Sequence, residues 1–392
     1  MIIRRQWVQL IEAAWTERPI VWLSGVRRVG KTCLGQSLPA VTYFDCELPR
    51  VRQMMTDPQG FWESLSGRRV ILDEIHRLPN PSELLKIGAD HFPRLRVLAT
   101  GSSTLGASTR FRDTLTGRKR DIRLTPMTLA DLADFGGGDL RHRLLRGGLP
   151  PFFLAPALPE RDFQEWMDAY WAKDIQELFR LERRTAFQRL VELVLARSGG
   201  IFEATEFARL CEISRPTVVS YLGVLEATAV AHVIRPYSTR RSTEIVAAPK
   251  VYGFDTGFVC YHRGWTALRT DDLGALWEHF VLNELLAALQ GEPLRYWRDK
   301  AGHEVDFVLA RRGRPLMAIE CKWSAADLSS ENLRAFRSRY PEGENVVVAQ
   351  DADRSVKRFL GNIRVTIEPL RGLIRRLFPN RQKEKQSPSR KR

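Results

Sequence analysis

No stretch of about 18 apolar residues occurs anywhere in the 392-residue chain, which argues against a membrane-spanning helix. Cysteine is scarce too. Its five copies, Cys33, Cys46, Cys211, Cys260 and Cys321, are odd in number and show no C-x-x-C spacing. A disulfide framework or a zinc ribbon is thereby excluded, and a reducing, cytoplasmic setting is expected. Acidic residues are in deficit, with 46 Asp plus Glu against 61 Lys plus Arg, for a formal net charge of +15. That balance favours polyanionic partners, nucleic acid before anionic membrane, and leaves the fold open. The opening "MIIRRQWVQLIEAAW" is charged and then amphipathic, without the apolar centre of a secretory signal. Internal repeats are also lacking.

What is present supports two or three cores, since 44% of residues are hydrophobic. Residues 1–135 alternate short apolar strands with helical stretches, the pattern of a parallel sheet covered by helices. The candidate strands are "PIVWLSG", "VTYFDCE", "RVILDE", "RVLATGS" and "DIRLTPM". Gly-rich breaks at "FGGGDL" and "RGGLPPF" read as hinges, at 136–138 and 147–148. The expected plan is an α/β chain in five parts. They are a nucleotide-binding sheet domain to 135, a helical linker or lid over 136–198, a helix-turn-helix with a wing over 199–256, a second α/β domain over 257–378, and a disordered basic tail over 379–392. The tail carries six basic residues against one acidic and no apolar ones.

"VWLSGVRRVGKTCL" contains G-x-x-x-x-G-K-T between an apolar strand and a helix. The segment Gly25, Val26, Arg27, Arg28, Val29, Gly30, Lys31, Thr32 and Cys33 is therefore expected to wrap a nucleotide triphosphate. Backbone N–H groups would surround the β-phosphate, Lys31 would pair with β- and γ-oxygens, and the Thr32 hydroxyl would coordinate Mg²⁺. "RRVILDEIHRLP" is a buried strand ending in two acids: Asp73 to hold Mg²⁺ through water, Glu74 to polarise the attacking water. The next strand, "LRVLATGSS", ends in Thr100, Ser102 and Ser103, which either touch the γ-phosphate or cap a helix. "DTLTGRKRDIRLTPMT" offers Arg118 as a charge stabiliser acting in its own subunit or a neighbour's, with Arg110, Arg112, Lys119 and Arg120 as competitors.

In order, "GVRRVGKT", "LDEIHRLP", "ATGSS" and "LTGR…LTPMT" resemble the AAA-type ATPases of bacteria and archaea that carry a DUF4143 region. These are relatives of the archaeal ATPases and, more distantly, of the origin-recognition and STAND groups. "RGGLPPF", "YWAKDIQ", "PKVYGFDTGF" and "LWEHFVLNEL" extend the likeness to about residue 350. The resemblance implies a P-loop NTPase fold of AAA+-like type, with ATP and Mg²⁺ as cofactors, and a C-terminal nuclease-like fold without guaranteed cleavage. A homo-oligomer is compatible with it, and no protein partner is specified.

Within 199–256, two helices meet at a short turn, the second opening on Ser214 with Pro216 in its first turn. Placed as a recognition helix, it would aim Arg215, Thr217 and Ser220 at DNA, with Arg240 and Arg241 of the wing on phosphates. The competing reading is a lid or protein-binding arm.

"VDFVLARRGRPLMAIECKW" reads as two strands around a basic turn, with Asp306, Glu320 and Lys322 on one side. Two carboxylates converging across a hairpin can bind Mg²⁺, and a lysine two residues on can steady transition-state charge. The pattern D-(x)n-E-x-K resembles the PD-(D/E)xK nuclease fold, of restriction-endonuclease-like type. The preceding "GALWE" is similar to the first helix of archaeal Holliday-junction resolvases, which implies Glu278 as a further ligand. A helical wheel favours Glu284 instead. The solvent face of a hairpin would carry the same residues. Three functions stay open: an ATP-driven switch on DNA, an ATP-gated Mg²⁺-dependent nuclease, and a protein-binding regulator.

Overall fold

A computed structural model describes residues 2–378 except 66, 102–108, 180–182 and 240–246. The chain divides into two compact units. One holds residues up to Ala196, then Thr205–His232 and Gly253–Thr266; the other holds Arg197–Ala204, Val233–Tyr252 and the residues from Ala267 on.

In the first unit the five apolar runs become strands β1 (Ile20–Ser24), β2 (Val41–Asp45), β3 (Arg69–Asp73), β4 (Arg96–Thr100) and β5 (Lys119–Arg123). The fifth begins two residues before the expected one. All neighbours are parallel, in the order β2-β3-β4-β1-β5. Because helices cover both faces, β1, β3 and β4 are nearly continuous apolar runs rather than alternating ones. Trp22, Trp62, Leu72 and Leu85 anchor one core. The parallel register sets Leu23 beside Thr100 and Leu72 beside Ala99, so Ser24, Asp73 and Thr100 end at one edge. The helix Arg5–Glu17 buries Trp7, Ile11, Ala14 and Trp15, one face at spacings of three and four.

The rest of this unit is helical, built on an aromatic cluster. Phe163 meets Phe152 at 4.8 Å and Phe258 at 4.8 Å, while Trp166 stacks on Phe254 at 4.9 Å. The hinge expected at 147–148 is corrected here. Gly147 has φ 86°, and a Cβ there would lie 1.9 Å from Asp255 Oδ1. Gly148 N–H donates to Asp255 Oδ2 at 2.6 Å, and Arg143 pairs with the same carboxylate at 3.6 Å. These glycines serve close packing, not bending. In the other expected hinge, Gly136 and Gly137, both at positive φ, have open space around them, whereas a Cβ on Gly138 would lie 2.7 Å from the Phe153 ring.

The helix pair expected in the middle is present, Ala204–Cys211 and Arg215–Ala227, and falls mainly in the first unit. The strands after it do not form a free-standing wing. They join a nine-stranded sheet whose remaining members lie in the second unit: β6 (Gly200–Ile201), β7 (Ala231–Pro236), β8 (Lys250–Gly253), β9 (Arg295–Arg298), β10 (Glu304–Leu309), β11 (Met317–Lys322), β12 (Glu344–Ala349), β13 (Val356–Leu360) and β14 (Ile363–Glu368). The order is β13-β14-β12-β11-β10-β9-β7-β8-β6, with β7 parallel to β9. An edge strand that finds a partner pairs its open backbone groups, which the separate 199–256 and 257–378 domains had not anticipated. The helix Thr270–Leu289 is fixed by Trp277, whose Nε1 donates to Val348 O at 3.0 Å. Phe336 and Leu333, from the helix Glu331–Arg339, pack with Val308, Ala318 and Val347. No helix among the described residues is long and apolar enough to cross a membrane.

Candidate nucleotide site and a second carboxylate cluster

The glycine loop after β1 closes because its backbone enters regions that side chains avoid. Gly25 sits at φ 151°, and a Cβ there would lie 2.5 Å from Leu124 O. Gly30 has φ 101° and opens the helix Lys31–Gln36. Lys31 Nζ folds onto the loop, donating to Gly25 O at 2.9 Å and Val26 O at 3.3 Å. Its pKa is lowered, chiefly by desolvation, with Glu74, Asp174 and Asp73 pulling the other way. Thr32 and Cys33 are exposed at the loop's end.

The acids at the end of β3 reach this loop. Thr32 Oγ1 donates to Asp73 Oδ2 at 2.7 Å, and the Tyr43 hydroxyl donates to the same oxygen at 2.8 Å. Thr100 donates to Asp73 Oδ1 and accepts the Glu74 N–H at 3.2 Å. Of the two readings for the β4 terminus, this geometry makes Thr100 a strut holding both acids; Ser102 and Ser103 lie outside the described residues. Glu74 is held in the left-handed region at φ 54°, a strained placement that persists only where its surroundings over-determine it. Its Oε2 lies 3.1 Å from His76 Nδ1. Burial would raise the Glu74 pKa, but His76 and Lys31 outweigh it and leave the carboxyl below its ordinary value.

Sequence reasoning missed Arg4, Asp131, Asp174 and Trp166 around the loop. Arg4 donates to Val29 O at 3.1 Å, to Thr125 O at 3.0 Å, and through Nε to Asp131 at 2.9 Å. Arg27 pairs with Asp174 at 3.1 Å, and Trp166 Nε1 donates to Arg27 O at 3.0 Å. Asp174 lies on a π-helical turn, Tyr170–Ile175, a form often found at functional sites and unmarked by any residue pattern. A cavity of about 700 Å³ joins these elements, and its lining combines Lys31, Thr32 and Glu74 with apolar Ile2, Phe135 and Leu154. Its size and mixed lining suit a nucleotide.

Arg118 requires correction. The register pairs Ile20 with Lys119 and Ser24 with Arg123, so Arg118 precedes β5 at the edge opposite the loop. It is tied to Asp90, at 2.6 and 3.0 Å. Five strand residues, about 16 Å, separate the two edges, which excludes action on a nucleotide bound in the same chain. Lys119 pairs with Asp121 and Arg120 with Glu17. Arg123 is the arginine that β5 brings to the loop edge.

On the helix Arg215–Ala227, Arg215 and Ser220 are exposed, beside Val219. Thr217 is engaged in the cap instead: its N–H donates to Ser214 Oγ at 3.3 Å and the two hydroxyls lie 2.7 Å apart. Arg240 and Arg241 lie outside the described residues, as does the tail.

In the second unit, β10 and β11 are antiparallel with Phe307 beside Ile319, which puts Asp306 across from Glu320. These are not the wet face of a hairpin: Glu320 is 1% exposed. Asp306 Oδ2 accepts the Cys321 N–H at 2.7 Å, and Lys322 Nζ lies 3.2 Å from Glu320 Oε2. Burial, then the charge of Glu278, raises the Asp306 pKa well above its ordinary value. Of the two helix acids, Glu278 is the one felt here; six residues place Glu284 roughly 120° away around the helix. Yet among the described residues no three acidic, histidine or cysteine side chains converge as a metal-holding group. The expected triad of Glu278, Asp306 and Glu320 is corrected to a looser cluster, because Glu278 is drawn to Lys250 at 2.8 Å and to Tyr252.

Burial also pushes Glu320 up to about 7, against the pull of Lys322. A carboxyl raised in the folded state costs stability increasingly as pH climbs from its unfolded value toward 7. Glu320→Gln should therefore leave stability unchanged near pH 4 and raise it near pH 8, by at most about 3 kcal/mol. Urea unfolding at both pH values checks this; equal effects at the two would contradict it.

Family models match three stretches: an AAA domain over 17–133, a domain of unknown function (DUF8612) over 137–269, and a second one (DUF4143) over 273–368. Uncharacterized protein Rv2008c of Mycobacterium tuberculosis and Uncharacterized protein Mb2031c of Mycobacterium bovis are each 30% identical over 354 residues, covering 86% of this chain and 77% of theirs. Solved structures include a Signal Transduction ATPase with Numerous Domains from Pyrococcus horikoshii, at 12% identity and TM-score 0.29, covering 72% of this chain and 46% of that one. Cdc6p from Pyrobaculum aerophilum follows at 13% identity and TM-score 0.26, covering 67% and 92%.

Proposed function

The chain belongs to the family of these two mycobacterial proteins, with an AAA domain ahead of a DUF4143 region, and on that premise we propose that it binds and hydrolyses ATP with Mg²⁺ and uses the cycle to switch its hold on DNA. The observation that carries the ATPase reading is the meeting of Thr32 and Asp73 at 2.7 Å, with Lys31 and Glu74 lining the same cavity. A hydroxyl and a carboxylate at that separation fit a hard divalent ion. When bound, Mg²⁺ would neutralise charge on the β- and γ-phosphates, with Thr32 and Asp73 as its holders.

The chain's own groups supply the rest. Loop N–H groups and Lys31 bind the phosphates, and Ile2, Phe135 and Leu154 offer apolar surface to the base. Glu74 orients water and accepts its proton, and His76 fixes the carboxylate's direction. Arg118 could contribute only across a subunit boundary, to a neighbour's nucleotide.

The DNA reading rests on the +15 charge, on exposed Arg215 at the start of a capped helix, and on exposed Ser220 farther along it. Duplex binding followed by fluorescence anisotropy should weaken steeply with salt, and Arg215→Ala should lower the salt slope by about 1. Salt-independent binding, or none, refutes this reading. Affinity lost only on deleting 379–392 would transfer the contact to the tail.

A further inference from the structure

Lys250 is a cation buried where cations are seldom left, 3% exposed at the start of β8. Its Nζ donates to Glu278 Oε1 at 2.8 Å and to Glu304 Oε1 at 2.6 Å. Tyr252, two residues along the same strand, donates its hydroxyl to Glu278 Oε1 as well. Desolvation works against the charge on Lys250, but Glu278, Asp306 and Glu304 outweigh it and raise its pKa.

One atom of the neighbouring acids is left over. Glu320 Oε2 has Lys322, yet Glu320 Oε1 is buried and has no hydrogen-bond partner among the described residues. An orphaned carboxylate oxygen of this kind costs stability, and it is a group that a cation could satisfy if one were admitted. Asp306, across the hairpin, is likewise crowded by Glu278 and Glu320. Four carboxylates thus share one neighbourhood, and a single ammonium has drawn two of them, Glu278 and Glu304, to itself.

We propose that Lys250 is the resident cation of this cluster: its ammonium holds the place of a divalent ion, and removing it converts Glu278, Asp306 and Glu320 into a site for Mg²⁺ or Mn²⁺. With Lys250 in place, Glu278 points to the lysine and Tyr252, and the three acids do not converge. Without it, Glu278 Oε1 keeps only the Tyr252 hydroxyl, the like charges repel, and a hard ion is the species that satisfies them together with Glu320 Oε1. The second unit of the native chain then neither retains a divalent ion nor cleaves phosphodiesters, whatever the first unit does with nucleotide.

Mn²⁺ titration by calorimetry on the full chain without nucleotide, in a Lys31→Ala background, tests this. Lys250→Met should gain one Mn²⁺ site, tighter by about a hundredfold than any in the parent, the order expected for losing one like charge at close range. Adding Glu320→Gln should abolish the gain, and Lys250→Arg should show none. A folded Lys250→Met that gains no site overturns the proposal. Should that variant not fold, the parent decides. Mn²⁺ water-proton relaxation should be unchanged by Glu320→Gln; a parent site that disappears in Glu320→Gln overturns the proposal equally.

Discussion

Replacing Lys31 by alanine lowers ATP turnover by about 10²–10³-fold or more, the usual loss when one preorganised electrostatic partner of a transition state is removed. The lysine sits on the loop it must serve, with Nζ within 3.3 Å of two loop carbonyls, so no rearrangement of the backbone is needed for it to reach a phosphate. Desolvation at this position makes the charge more effective, because a poorly hydrated ammonium gains more from a phosphate than an exposed one. ATP at about a hundred times its Kd should stabilise the native chain by about 2.7 kcal/mol against heat, and Lys31→Ala should lose that gain. Glu74→Gln should separate the steps, keeping the thermal shift while losing turnover. Unchanged turnover in Lys31→Ala would refute the assignment of the loop.

Asp131→Ala destabilises the first unit by about 3–5 kcal/mol, the cost of stripping one partner from a buried ion pair. Asp131 is fully buried and receives Arg4 at 2.9 and 2.5 Å, Trp7 Nε1 at 3.2 Å and the Thr128 N–H at 2.8 Å. Burial alone would raise its pKa, but Arg4 and Thr128 outweigh it and hold it below the carboxylate range. Its contribution is therefore present above the unfolded value and is lost only as pH falls through the lower, folded one. Alanine leaves Arg4 charged and buried with Val29 O and Thr125 O as its hydrogen-bond acceptors and the Trp7 ring beside it, so the loop moves with it. Calorimetry should show the first unit's Tm fall by roughly 10 °C, and nucleotide affinity should drop although Asp131 touches no nucleotide. A loss under about 1 kcal/mol would mean the network is not the loop's support.

The loop and the acids of β3 were readable because each depends on local order. G-x-x-x-x-G-K-T needs only a strand before it and a helix after it, and two acids ending an apolar strand need only the strand. Arg118 shows the limit of such reading. Proximity in sequence to β5 said nothing about which end of β5 it would occupy, and a parallel strand carries its first residue to the far edge. Arg4 and Asp174 were illegible for a related reason: their partners lie 127 and 147 residues away. The 147–148 glycines looked like a hinge because local sequence shows their freedom and hides Asp255, which fills the space beside them.

The same division runs through the second unit. Alternation along β10 and β11 is local, so the facing of Asp306 and Glu320 across one hairpin was set by the sequence alone. So were the parallel sheet, the nucleotide loop and the absence of any membrane-spanning helix among the described residues. Only the tertiary structure decided what that hairpin's carboxylates meet. Lys250 arrives from β8, 56 residues before Asp306 in the chain, through a sheet order that no strand specifies by itself. Charge acts through space and not along the chain, so an acidic pair reads alike in sequence whether a metal ion or a lysine stands beside it.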